Sequence, residues 1–331
     1  MTRSARIVSS GSYVPEIEVS NDALRARFNG SAPEFVDKME AASGIKTRWW
    51  APPGWATSDL AVRAAEKALA AAGKTPLDVD LILLGTDSPD FVTPSTSVVV
   101  QHKLGAKNAG TFDVGCACAS FPTCLATAAG LIATNKSLRT VLAIGAYMMH
   151  KLTDPDDPMI FFFGDGAGAA VLESSDKEGF VASGFRADGS YHRNWAILSG
   201  GTDEPASLES VKAGRTSVKL LERYPPELNN EGWPKLVRQM AKDGGFAASD
   251  IDMLLLTQVR RPTIELVMAE LGLPMEKTHV VMDKWGYTGS ASVAMAFDDA
   301  RALGKIKAND LVVFVASGVG YNMAGAAFRM V

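Results

Sequence analysis

The sequence is poor in the residues that staple or metallate proteins, with 3 cysteines and 4 histidines in 331 residues. All three cysteines, Cys116, Cys118 and Cys124, fall in one stretch, FDVGCACASFPTC. A disulfide framework belongs to small, cysteine-dense chains in oxidising compartments, so this pattern excludes one. A structural zinc site needs a second Cys or His pair at ligand spacing. Neither Cys-Ala-Cys nor the scattered His102, His150, His192 and His279 provides that, and no metal is expected. The opening residues MTRSARIVSSGSYVPEIEV contain no apolar signal region, and no run approaches the roughly 18 apolar residues of a membrane span. The expected setting is the reducing cytoplasm, off the membrane. A net charge of −4 lacks the basic excess of a general nucleic-acid binder.

What the chain does have is ordinary globular material, 47% hydrophobic and 21% charged, in a length suited to about two domains. The division is written in an internal repeat. Residues 65–86 read AEKALAAAGKTPLDVDLILLGT and residues 237–258 read VRQMAKDGGFAASDIDMLLLTQ. Asp80 falls on Asp252 at an offset of 252 − 80 = 172. The same offset carries Ala117-Cys118-Ala119-Ser120 onto Gly289-Ser290-Ala291-Ser292, and TVLAIG (140–145) onto VVFVAS (312–317). Self-similarity over half the chain predicts a duplicated unit, divided here into residues 1–172 and 173–331.

Within each half the order is strand, helix, strand, turn, helix, strand, which predicts an α/β fold with two mixed, mostly parallel sheets covered by helices. Ser58 is placed to cap the helix DLAVRAAEKALAAAG and Gly73 to end it. Residues 186–232, rich in polar residues, Gly and Pro, read as an irregular excursion between the halves.

TFDV reads as a short strand and ASFPTCLATAAGLIATN as a helix whose Pro122 must lie in the first turn, where a missing N–H goes unnoticed. Cys118 therefore stands at a helix N-terminus, among unpaired N–H groups and the positive end of the macrodipole. That setting favours thiolate over thiol and marks Cys118 as a nucleophile. Cys116 and Cys124 read as small buried apolar residues. Gly164, Gly166 and Gly168 in FGDGAGAAVL fit neither a dinucleotide fingerprint nor a P-loop, and the run is read as joining two strands.

Several ordered motifs together resemble the β-ketoacyl-acyl-carrier-protein synthase III family of the thiolase-fold superfamily. They are SGSYVPEIEVSNDAL, SGIKTR, DVGCACASF, FGDGAGAAVL and the closing segment from GYTGSASVAMAF to GAAFRM. The resemblance implies a thiolase-like fold layered αβαβα, built as a dimer. It implies a family nucleophile at Cys118 that takes an acyl group from coenzyme A. It also implies an oxyanion hole from the N–H of Cys118 and backbone near Val319, and a tight backbone passage of small residues beside the acyl site. The acyl donor would be acyl-CoA or the phosphopantetheine of an acyl carrier protein, with no permanently bound cofactor.

The chain departs from the family where decarboxylative condensation is assisted. Thr257 stands at the family's His position and Tyr287 at its Asn position. Each can donate a hydrogen bond, yet neither replaces an imidazole as a base at neutral pH. Phe35 occupies the place of the Trp that clamps coenzyme A, and Pro158 stands near where an Arg would be. Arg260 and Arg261 are candidates for a phosphopantetheine phosphate or an acidic carrier helix. His150 and His192 are candidates for an imidazole supplied from a new place, His279 reads as a strand residue and His102 as structural. The expected function is an acyltransferase that loads Cys118 and passes the acyl group to an alcohol, amine, thiol or preformed carbon nucleophile. The alternatives are a noncatalytic partner completing a heterodimer with a related chain, and a ketosynthase III with a divergent active site.

Overall fold

The computed structural model describes residues 3–331. The first half runs through β1 (Ser4–Tyr13), β2 (Ile17–Ser20), α1 (Asn21–Phe28), α2 (Phe35–Ser43), β3 (Thr47–Trp50) and α3 (Thr57–Ala71). It continues with β4 (Leu81–Gly85), α4 (Thr96–Leu104), β5 (Gly110–Val114), α5 (Ser120–Thr134), β6 (Thr140–Tyr147) and β7 (Gly166–Ser175). The second half opens with β8 (Phe180–Ala187), β9 (Trp195–Ala196), α6 (Leu208–Lys212), β10 (Lys219–Leu220) and α7 (Glu227–Gly244). It ends with β11 (Met253–Leu256), α8 (Arg261–Glu270), α9 (Met282–Trp285), α10 (Ser292–Ala302), β12 (Leu311–Gly318) and β13 (Asn322–Arg329).

One sheet has the order β1-β7-β6-β4-β5 and the other β11-β12-β13-β8. The helices α5 and α10 lie between the two sheets, α3 and α4 cover the first from outside, and α7 and α8 cover the second. This gives five layers, αβαβα. Strands β4, β6 and β12 are buried along their whole length, as strands covered on both faces must be. Phe314 on β12 packs edge-on against Phe121 of α5 and Phe297 of α10, at 6.2 and 5.1 Å between centroids, and so fastens both central helices to one strand.

The duplication is visible in three dimensions. A 3₁₀ turn at Ala117–Ala119 leads into α5, and its equivalent at Gly289–Ala291 leads into α10. The first sheet's last strand continues to Ser175, past the expected division at 172.

Five expectations need correction. The sheets are mixed but not mostly parallel: β4–β5, β4–β6 and β11–β12 are parallel, while β1–β7, β6–β7, β12–β13 and β8–β13 are antiparallel. Ser58 does not cap α3; Asp59 accepts the N–H of the N-cap residue Ala56 instead, and Ser58 is buried with its hydroxyl accepting from Lys103. The excursion between the halves is irregular only in part, because α7 already begins at Glu227. The glycine run does not join strands: Gly166 and Gly168 lie inside β7, where a Cβ on Gly168 would fall 2.5 Å from the Cβ of Ala294 on α10. Finally, Ala117–Thr134 does reach a membrane-span length of 18 residues with mean hydropathy 1.4. It is 67% buried between the sheets, and its apolar character serves the core.

Candidate active site

The site begins with a sharp change of direction after β5. Ala117 has φ 47°, a left-handed conformation that costs a residue with a Cβ about 1–2 kcal/mol. Local hydrogen bonds hold the turn: Cys116 N–H donates to Ser120 Oγ at 3.0 Å, and Ser120 Oγ donates to Ala117 O at 2.6 Å. Cys118 is thereby set just before α5 and is 4% exposed. Pro122 is the third residue of α5, within its first turn.

Tyr287 meets Cys118 directly, with its hydroxyl hydrogen-bonded to Sγ. The tyrosine is aimed by its backbone, because Tyr287 N–H donates to Phe162 O at 2.7 Å and Gly164 N–H donates to Tyr287 O at 2.9 Å. A Cβ at Gly164 would lie 2.1 Å from Trp285 O, so the glycine run supplies the close passage that seats Tyr287. Tyr147, at the end of β6, lies beside Tyr287 at 5.8 Å between rings.

The electrostatics of Cys118 overturn the expectation of a favoured thiolate. Burial pushes its thiol well above the ordinary range, and the charge of Asp87 pushes it the same way, against a smaller lowering by the Tyr287 hydroxyl. Desolvation outweighs the helix terminus, so the resting group is a neutral thiol. Burial likewise holds Tyr287 and Tyr147 protonated. Cys124 is fully buried and its thiol is pushed far up, as an inert core residue requires, whereas Cys116 is half-buried and lines a small cleft with Thr123 and Phe185.

On the other side of Cys118 is the turn after β12. A Cβ on Gly318 would fall 2.2 Å from Cys116 O and 3.1 Å from Cys118 N, so Gly318 passes directly beside the Cys118 amide. Thr257 is buried but turned to the backbone, its Oγ1 accepting from Ser317 N–H at 3.1 Å. It braces this turn and makes no hydrogen bond to Cys118. Its neighbour Gln258, which the sequence reading passed over, accepts from Val281 and Met282 N–H and donates to His279 O, anchoring the segment that leads to Tyr287.

Phe35 opens α2 and packs edge-on against buried Phe161 at 6.4 Å. Arg260 and Arg261 are exposed at the start of α8, which packs on α2, and Arg261 pairs with Glu265 at 3.0 Å. None of the three is hydrogen-bonded to Cys118.

None of the four histidines bonds to Cys118. His150 is stacked on Trp50 with Nδ1 2.5 Å from buried Asp165, and His192 is exposed in a turn where it contacts Gly189 O. His279 is in no strand; it is buried between Asp299 and Lys305. His102 is exposed in the last turn of α4.

Two further residues complete the enclosure. Ser290, the repeat equivalent of Cys118, donates to Ala146 O at 2.7 Å and lies 3.4 Å from Asp87 Oδ1. Asp87 keeps some accessible surface, yet the protein around its carboxyl pushes its pKa up to about 6. The offset of 172 pointed to Ser290; nothing in the sequence singled out Asp87.

The fold, the left-handed turn before Cys118 and the small-residue passage together define a thiolase-type architecture. Residues 112–189 match the family model described as 3-oxoacyl-[acyl-carrier-protein (ACP)] synthase III, and residues 241–330 match its C-terminal model. A β-ketoacyl-[acyl-carrier-protein] synthase III of Erythrobacter litoralis (strain HTCC2594) is 37% identical over 330 residues, 98% of this chain and 99% of that protein. The crystal structure of 3-oxoacyl-[acyl-carrier-protein] synthase III from Aquifex aeolicus VF5 superposes with TM-score 0.85 at 27% identity, covering 98% and 99% of the two chains. The priming β-ketosynthase of the R1128 polyketide pathway gives TM-score 0.85 at 27% identity over 98% and 96%. The chain belongs to the β-ketoacyl-acyl-carrier-protein synthase III family, and is an acyl-transferring enzyme of ketosynthase III type.

Proposed function

We propose that Cys118 is the acyl-carrying nucleophile and that the protein transfers acyl groups from acyl-CoA or an acyl carrier protein to an acceptor other than a decarboxylating malonyl-carrier. The observation that carries this reading is the Cys118 Sγ to Tyr287 OH contact, made where the family places an amide and with none of the four histidines bonded to Cys118. A protonated tyrosine steadies the sulfur as charge develops but does not stand in for an imidazole. The amide of Cys118, which Gly318 packs against, and the backbone at Val319 would act as the oxyanion donors. Phe35, Arg260 and Arg261 form the outer surface on which the donor's phosphopantetheine arm would rest.

A second surface supports a dimer. Strand β5 is an edge strand carrying exposed Phe112, and the loop before α4 exposes Phe91 and Val92, at 55% and 86%. Unpaired apolar edges are normally covered, and pairing β5 with its own copy covers this one symmetrically. A homodimer is the simplest arrangement; a related chain in the same place gives the heterodimer.

Intact-protein mass spectrometry after incubation with a panel of acyl-CoAs and acyl-carriers tests the function. An acyl adduct mapping to Cys118, with no carbon dioxide released from malonyl-carrier, is the expected result. No adduct across a broad panel supports a noncatalytic partner, and carbon dioxide release with a β-ketoacyl product supports a condensing enzyme in which Tyr287 and Thr257 suffice.

A further inference from the structure

We infer that Asp87 is the proton acceptor for acyl transfer at Cys118, doing with a carboxylate what the missing imidazole does not. The inference rests on the acyl-transfer reading above and adds a residue to it. Asp87 follows β4, whose final Gly85 passes so near the start of α5 that a Cβ there would sit 2.6 Å from the Cβ of Ser120. Its neighbours Thr86 and Ser88 are buried, and its Oδ1 faces the Ser290 hydroxyl, which is fixed to Ala146 O. Tyr147 comes next on that strand, with its ring against Gly289. Asp87 thus belongs to a cluster that runs from Ser290 through Tyr147 and Tyr287 to Cys118, and Tyr147, Tyr287 and Cys118 are the titratable groups of that cluster.

Among the described residues, no cation pairs with it. Beyond Tyr147, Asp165 has its own partner in His150; in the same loop, Asp90 is turned to the N–H of Ser58 at 3.0 Å. A carboxylate left without a counter-ion in the interior is costly to keep unless its basicity is used. Its carboxylate is hydrogen-bonded to Ser290 and not to Cys118, so a single water between carboxylate and thiol carries the proton; being held at about 6, Asp87 is largely ionised at neutral pH and close enough to neutrality to exchange protons in both directions.

The proton inventory closes. In the first step the Cys118 S–H proton goes to Asp87 as sulfur adds to the thioester carbonyl; the bond to the donor sulfur breaks, and the proton passes to the departing thiolate of coenzyme A. In the second step an acceptor X–H gives its proton to Asp87 as X attacks the acyl carbon. The Cys118 C–S bond then breaks and Sγ takes that proton back, leaving Asp87 ionised.

Two rates on the purified protein separate this role from a simple charge effect. They are Cys118 adduct formation from acetyl-CoA and octanoyl-CoA across pH 5 to 9, and Cys118 alkylation by iodoacetamide. In Asp87→Asn, adduct formation should fall about 10²- to 10⁴-fold and lose its rise with pH near 6, and Asp87→Glu should restore part of both. Alkylation of Asp87→Asn should instead speed up, because a negative charge no longer opposes the thiolate. Adduct formation in Asp87→Asn that matches or exceeds the unmodified protein, in step with alkylation, overturns the inference while leaving the acyl-transfer reading intact. Absence of an adduct in the unmodified protein overturns the acyl-transfer reading itself. If Asp87→Asn does not fold, shown by exposure of Cys124 to alkylation, the pH profile of Asp87→Glu decides: an unshifted profile overturns the inference.

Discussion

Replacing Tyr287 with phenylalanine removes one oxygen and isolates its effect on the Cys118 thiol. The ring is 6% exposed and packs beside Tyr147 at 5.8 Å, and phenylalanine keeps that volume and packing. What is lost is the hydroxyl that bonds Cys118 Sγ. Tyr287 stays protonated because burial raises its pKa, so in the presence of a thiolate it acts as a donor to a charged acceptor. Such bonds contribute about 1.5–3 kcal/mol. At about 1.4 kcal/mol per pH unit, their loss raises the Cys118 pKa by about one to two units. The thiol is already mostly neutral, and only the thiolate reacts, so alkylation at Cys118 should slow about 10- to 100-fold between pH 7 and 9. Peptide mapping after timed iodoacetamide exposure gives the rate at each cysteine, with Cys116 as an internal reference. An unchanged or faster rate at Cys118 in Tyr287→Phe would show that the hydroxyl does not govern the sulfur.

Stability should depend on Asp87 in a pH-specific way. Its folded pKa lies above the ordinary 3.8, at about 6, so the folded state binds the proton more tightly and this group's contribution falls as pH rises from about 4 to about 6. A shift of about 2 units corresponds to about 3 kcal/mol, so urea unfolding should find Asp87→Asn more stable than the unmodified protein at pH 7.5, with the gap closing towards pH 4; a gap independent of pH would contradict the burial argument. For assembly, Phe112→Lys puts a charge on the exposed edge strand and should move sedimentation from dimer to monomer at micromolar concentration, whereas an unaffected dimer would place the interface elsewhere.

Much of the fold was legible because duplication writes the same pattern twice. The 172-residue offset pairs the turns at Ala117–Ala119 and Gly289–Ala291, and both exist where the sequence places them. Strand direction was not legible: continuous apolar runs such as LILLG report burial on two faces, not whether the neighbour runs parallel, and β7 returns antiparallel between β1 and β6. For the site, Pro122 located the helix start and thus Cys118, and the family resemblance located Tyr287. The state of Cys118 was misjudged because a helix terminus can be read from sequence, while desolvation depends on everything packed around the sulfur. Asp87 escaped for the same reason, since in sequence it is one polar residue of a loop, TDSPD, and only the closure of β4, β6 and the Ser290 turn around it makes it basic.

The repeat also shows where this protein accepts strain. Ala117 and Gly289 occupy equivalent places and share a left-handed backbone, with φ 47° and 45°. The second half meets that conformation with glycine, for which it carries almost no penalty, and Gly289 could tolerate little else because a Cβ there would fall 2.1 Å from the ring of Tyr147. The first half holds the same conformation with alanine, at about 1–2 kcal/mol. The two turns then diverge in what they present. The relaxed one offers Ser290, bonded to Ala146 O and facing Asp87; the strained one offers Cys118, bonded to Tyr287. Strain of this kind persists only where the surroundings over-determine it, and here they do so through Ser120, Gly318 and the Tyr287 hydroxyl. One turn geometry, used twice, therefore presents Cys118 to Tyr287 in one half and Ser290 to Asp87 in the other.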